Sequence, residues 1–221
     1  MSRMFKSIDQ TWNTFVGCSF ECTYCNARKA ALTRLRHLER YKDGFKPHLV
    51  ESELTRTFKP GQFIFVAYMG DISFATTTEI VRILQRIREF PLTNFLIQSK
   101  NPKRFQYWGV DFPSNVYLGT TIETNRDYGL TLAPYPRARY QNFPPLYYQR
   151  LFLSIEPIMD FDLDILTRWV AVIKPEIIEV GYDNYGNSLP EPSQAKTMEL
   201  ISQLKKLAEV KLKTIRRAWN E

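Results

Sequence analysis

The sequence predicts an α/β protein, a partial (open) parallel βα barrel of about six βα units. Short β-rich runs alternate with helical patterns along the chain, as a parallel sheet with crossover helices requires. The longest of these runs is apolar throughout, as expected of a strand covered on both faces. Nearly every run also ends in polar residues, at the strand ends where such folds keep their chemistry. Six units with right-handed crossovers give a curled sheet but are too few to close an eight-stranded barrel.

In chain order, the first strand falls at Thr11 to Val16 and ends at Gly17 and the first cysteine. A basic helix is expected over Asn26 to Tyr41, with Ala30, Leu35 and Leu38 inward. The second strand, Gln62 to Met69, stops at Gly70-Asp71. Thr76 followed three residues later by Glu79 is a capping box. Ile80, Ile83, Leu84 and Ile87 then form one apolar stripe, and Pro91 ends the helix. The third strand, Asn94 to Gln98, leads into Ser99-Lys100, and the fourth, Val116 to Ile122, into Glu123-Thr124-Asn125. From Arg126 to Arg150 the pattern breaks, with Pro134, Pro136, Pro144 and Pro145 among tyrosines, and predicts a loop with at most a short helix. The fifth strand, Leu151 to Ile155, ends at Glu156-Pro157. A helix over Asp162 to Ile173 carries Ile165, Leu166, Trp169 and Ile173 on one stripe. The sixth strand, Glu176 to Val180, ends at Gly181-Tyr182-Asp183-Asn184. An amphipathic helix from Ser193 to about Glu209 runs through Thr197, Leu200, Leu204 and Leu207, and the alternation after Val210 favours a last short strand.

With 221 residues, 44% of them hydrophobic, the chain can bury one core, and a single domain over 1–221 is expected. The longest apolar run, Phe63 to Met69, is far shorter than the roughly 20 residues of a membrane helix. Met1 to Trp12 holds no signal-like apolar stretch, so a cytoplasmic protein with no membrane partner is expected. The net charge of +7 is compatible with an anionic partner. In Tyr135-Pro136-Arg137-Ala138-Arg139-Tyr140, arginines interleave with aromatics, which suits phosphate contact and base stacking. Nucleic acid or a nucleotide is therefore a candidate partner, although a proline-rich lid over a small-molecule pocket reads similarly.

All three cysteines lie between Cys18 and Cys25, spaced C-x3-C-x2-C. That is no disulfide framework; it reads as a metal site in a reducing compartment. Three thiolates can hold three irons of a cubane cluster and leave the fourth without a protein ligand, open to an exogenous molecule. The competing reading is a structural zinc or cluster completed by His37 or His48, each of which suits a surface position better.

With Tyr24 in its aromatic slot, C-x3-C-x-aromatic-C after the first strand of a partial barrel resembles the radical S-adenosylmethionine superfamily. The resemblance implies that Cys18, Cys22 and Cys25 hold a 4Fe–4S cluster whose open iron is chelated by S-adenosyl-L-methionine. One electron, from a reductant such as flavodoxin or ferredoxin, then splits the sulfonium to a 5′-deoxyadenosyl radical that abstracts hydrogen from a substrate. It places Tyr24 near the adenine. Met69, Gly70 and Asp71 stand where the family has a Gly-Gly-Glu-like segment that holds the methionyl ammonium, a departure in which one glycine is lost and the carboxylate is shorter. Ser99, Lys100, Glu123 and Asn125 match places that contact the carboxylate and ribose.

A longer likeness rests on Trp12-Asn13-Thr14, Met69-Gly70-Asp71, Val116-Tyr117-Leu118-Gly119 and Leu153-Ser154-Ile155-Glu156-Pro157. Together they resemble a compact phage and prokaryotic family of unsettled function, loosely similar to spore photoproduct lyase. It implies that Glu156 bonds S-adenosylmethionine or substrate. That lyase returns a hydrogen atom through an additional cysteine, which this chain lacks; if the protein must quench a radical, one of its twelve tyrosines is the available donor, and Tyr68, Tyr182 and Tyr185 lie near predicted strand ends. Read structurally, Asp71, Glu123 and Glu156 would cap the helices that follow them, and Lys100 would be solvated. The alternative function is a non-catalytic, metal-stabilised nucleic-acid-binding module.

Overall fold

Strand residues point alternately to two faces, and here both faces are buried. The computed structural model describes residues 5–143, 148 and 150–221. Its strands in chain order are β1 (Gln10–Trp12), β2 (Phe15–Val16), β3 (His48–Leu49), β4 (Phe63–Val66), β5 (Asn94–Ser99), β6 (Val116–Thr121), β7 (Leu151–Ile155), β8 (Ile177–Val180) and β9 (Glu209–Leu212). Seven are parallel, in the order β1-β4-β5-β6-β7-β8-β9, and form an open, curled half-barrel. The helices are α1 (Asn26–Leu32), α2 (Thr77–Arg88), α3 (Arg104–Tyr107), α4 (Pro136–Asn142), α5 (Leu163–Ile173) and α6 (Gln194–Leu204).

One row of each strand, such as Ile64 and Val66, Phe95 and Ile97, or Leu151 and Leu153, packs against the helices. The other row faces the barrel interior. There Phe63, Phe65, Leu96, Tyr117, Phe152 and Ile177 close around Phe5 and Ile8 of the N-terminal segment, which plug the floor. Further along the inward rows the residues turn polar: Gln98 and Lys100 after Leu96, Thr121 and Glu123 after Tyr117, Glu156 after Phe152, Asp183 after Ile177. The period-two register thus converts an apolar floor into a polar rim.

Several boundaries differ from expectation. The first strand divides, because β2 leaves the sheet to pair antiparallel with β3. The basic helix stops at Leu32, where the Thr33 hydroxyl donates to the Lys29 carbonyl at 2.6 Å. Beyond it residues 33–39 are exposed except for half-buried Leu35, and offer no apolar stripe to hold a helix. The buried stripe of α5 is Leu166, Val170 and Ile173, with Ile165 exposed. α6 ends at Leu204, leaving Leu207 exposed. The capping box of α2 is present in both directions, and the expected last strand is β9. Within the proline-rich segment the short helix is α4, with Pro136 at its start; Pro144 and Pro145 lie outside the described residues. Among the described residues no helix is long and apolar enough to cross a membrane.

Candidate functional site

The cysteine loop is set against the exit of β4 by two glycines. Gly17 has φ +85°, and a Cβ there would lie 2.1 Å from the Lys46 carbonyl oxygen. Its partner Gly70 approaches so closely that a Cβ would fall 2.7 Å from the Gly17 oxygen. Each thiol then finds a polar neighbour. Cys18 Sγ accepts from the Phe20 N–H at 3.4 Å, and Cys25 Sγ accepts from the Arg28 N–H at 3.3 Å while capping α1. Cys22 Sγ lies 3.0 Å from Thr131 Oγ1. Burial pushes both the Cys18 and Cys25 thiols up, and the charge of Asp71 adds to the effect at Cys18.

Three soft sulfur donors on one loop suit a thiolate-bound metal cluster, whose positive charge would offset the cost of ionising them. Among the described residues no group of three or more His, Cys, Asp or Glu side chains is arranged to hold a metal ion. His37 is exposed, and His48 Nδ1 lies 2.9 Å from the Lys46 carbonyl oxygen.

A cavity of about 1010 Å³ opens over the carboxyl ends of the strands. One wall, at the cysteine loop and the exits of β4 and β5, holds Tyr24, Cys25, Tyr68, Gly70, Asp71, Ser99 and Lys100; the other, at the exits of β7, β8 and β9 and the turn after β8, holds Glu156, Asp183, Tyr185 and Lys213. On the first wall Tyr24, Asp71, Ser99 and Lys100 each have a protein partner. Asp71 caps the turn Ile72–Phe74 through the Ser73 N–H at 3.0 Å, as the capping reading expects. It also accepts from Ser99 Oγ at 2.6 Å and the Lys100 N–H at 2.9 Å. The Met69 carbonyl accepts from the Gly17 N–H at 3.0 Å.

Beneath this wall Glu123 is fully buried and caps no helix. It accepts from the Tyr24 hydroxyl at 2.7 Å, from the Lys100 ammonium and from Arg139 Nη1 at 2.7 Å. Burial pushes its carboxyl up, but Lys100 and Arg139 overcome this and hold it at about 2. Lys100 is therefore ion-paired, not solvated. Arg139, expected to contact phosphate, is 1% exposed and spent on Glu123, the Pro134 carbonyl at 2.6 Å and the Thr121 carbonyl at 3.1 Å. Arg137 is exposed but does not line the cavity, and Tyr140 stacks on Trp169 at 4.7 Å. The stretch Tyr135 to Tyr140 is thus a structural clamp, because Pro136 starts a helix that turns Arg139 inward.

The other wall is less complete. Glu156 Oε1 accepts from Lys213 Nζ at 2.5 Å, while buried Oε2 has no partner. Burial, offset in part by Lys213 and reinforced by Glu179 and Asp183, pushes its carboxyl up to about 7. Tyr68 and Tyr185 line the cavity, whereas Tyr182 is buried against the Pro192 carbonyl and Thr197. Asn125 lies outside the cavity lining and exchanges bonds with Asp162, at 2.7 Å and 2.9 Å, at the start of α5. Sequence reasoning missed Gln98 and Lys213 on the lining, both legible from the period-two register, and Thr131, which carries no sequence signal.

The fold is similar to that of spore photoproduct lyase. It is similar to a double mutant of spore photoproduct lyase with bound AdoMet and dinucleoside spore photoproduct, at 12% identity and a TM-score of 0.54. It is similar again to the lyase complexed with dinucleoside spore photoproduct, at 10% identity and a TM-score of 0.55. Each likeness covers 92% of this chain, which spans 64% of the length of the lyase chains. The chain belongs to the family described as Protein of unknown function (DUF5131), whose profile matches residues 4–173. No curated protein matches it.

Proposed function

We propose that the chain is a radical S-adenosylmethionine enzyme, with Cys18, Cys22 and Cys25 as the protein ligands of a 4Fe–4S cluster. When bound, the cluster supplies one electron to S-adenosyl-L-methionine, and the resulting 5′-deoxyadenosyl radical removes hydrogen from a second substrate. The observation that carries this reading is the C-x3-C-x2-C loop of Cys18, Cys22 and Cys25, whose last thiol lines a cavity at the carboxyl ends of parallel strands. Tyr24, tied down through Glu123, presents a fixed ring to the adenine. Asp71 and Ser99 are spent on protein groups, so they shape the backbone around Gly70 that receives the methionyl ammonium, while Lys100 orients Tyr24. Glu156 and Lys213 face the second substrate. Nucleic acid or a nucleotide is the class supported by the dinucleoside in the similar lyase structures and by the net charge of +7. Tyr68 and Tyr185 are the hydrogen donors within reach of it. The cavity walls keep water from the radical, and a flavodoxin or ferredoxin in a reducing cytoplasm would supply the electron.

The test is anaerobic reconstitution with iron and sulfide, reduction, and addition of S-adenosylmethionine. The wild-type protein is expected to form 5′-deoxyadenosine and Cys22→Ala none. A colourless, zinc-loaded protein that forms none would overturn the reading in favour of a metal-stapled binding module.

A further inference from the structure

Each cysteine sulfur has a hydrogen-bonding neighbour, but the neighbours differ in kind. Cys18 and Cys25 receive backbone N–H groups from within their own loop. Cys22 alone meets a side chain, that of Thr131, which arrives from the segment after β6. That segment is fastened to the cysteine loop on both sides of the threonine. The Thr23 N–H donates to the Leu130 carbonyl at 3.0 Å, and the Leu132 N–H donates to the Phe20 carbonyl at 2.7 Å. Further along, Arg139 grips the Pro134 carbonyl from the buried Glu123 network. The position of Thr131 is therefore fixed by the fold and not by its own side chain.

The hydroxyl has one proton and two acceptors within reach. Oγ1 already accepts from the Ala133 N–H at 3.0 Å, and it lies 3.1 Å from the Phe20 carbonyl and 3.0 Å from Cys22 Sγ. While Cys22 is a thiol, its S–H can donate to Oγ1, leaving the threonine proton to Phe20. Once the sulfur is ligated to metal it has no proton, and only the threonine can supply one to the contact. A hydrogen bond to an anionic sulfur is stronger than one to a neutral carbonyl, so the hydroxyl turns toward Cys22. Hydrogen bonds to ligating sulfurs withdraw electron density and raise the reduction potential of the centre they hold.

We infer that Thr131 is a positioning and tuning residue for Cys22, donating to its ligated sulfur and setting the potential at which the centre accepts an electron. The inference rests on the cluster reading proposed above. The experiment compares reconstituted wild-type protein with Thr131→Val, which keeps the shape and removes the hydroxyl, and Thr131→Ser, which restores it. Iron and sulfide are counted first, and the midpoint potential is then read by redox titration followed by electron paramagnetic resonance. The expected result is full cluster content in all three, a more negative potential in Thr131→Val, and a potential near wild type in Thr131→Ser. Equal potentials in the valine variant and wild type, at equal iron content, would overturn this inference alone. A wild-type protein that binds no iron–sulfur cluster would overturn the parent reading and this one with it.

Discussion

Two glutamates, Glu123 buried beneath one wall of the cavity and Glu156 on its lining, each sit beside a lysine, and the fold treats them in opposite ways. Glu123 is held by two cations and a phenol, so its charge is over-compensated and stays fixed at about 2. Glu156 has only Lys213, with Glu179 and Asp183 near, and is pushed up to about 7. The first wall is therefore a finished polar network that immobilises Tyr24 beside the cysteines, while the second keeps hydrogen-bonding capacity in reserve.

The largest effect expected from breaking this contrast is at Arg139. Arg139→Met leaves Glu123 with Lys100 alone and should cost about 3–5 kcal/mol, the usual penalty for uncoupling a buried charge pair. Urea unfolding measures it; a loss below about 1 kcal/mol would mean that the network is not the anchor of the first wall. The smaller effect is a pH dependence at the second wall. Because the carboxyl of Glu156 titrates higher in the folded chain than its ordinary 4.5, its contribution is favourable at low pH and is lost as pH rises through about 7. Glu156→Gln removes that titration, so its stability relative to wild type should improve by about 2 kcal/mol between pH 5 and pH 8. A constant difference would show that Glu156 titrates ordinarily. For Glu123 the sign is reversed: its contribution is complete above 4.5 and is lost as pH falls through about 2.

The fold was legible because it rests on local rules. The capping box at Thr76, the buried runs of the strands and the cysteine spacing all act over a few residues. What stayed hidden depends on where distant segments meet. The interleaved arginines near residue 137 look like a phosphate surface, yet burial of Glu123 recruits Arg139 into the interior, and nothing in the local sequence encodes that partner. Phe5 and Ile8 likewise show no pattern of their own, and plug the floor because the inward residues of five strands leave a hole of their size. Lys213 was readable in principle, since strand alternation in β9 continues to it, but its salt bridge to Glu156 spans two separate strand exits.

Electron paramagnetic resonance of the reduced, reconstituted protein, recorded before and after addition of S-adenosylmethionine, probes the three-thiol site itself. One 4Fe–4S centre per chain is expected, with a spectrum that changes when the sulfonium compound coordinates the iron left without a cysteine. A spectrum indifferent to that compound, or a metal with no reducible signal, would contradict the assignment.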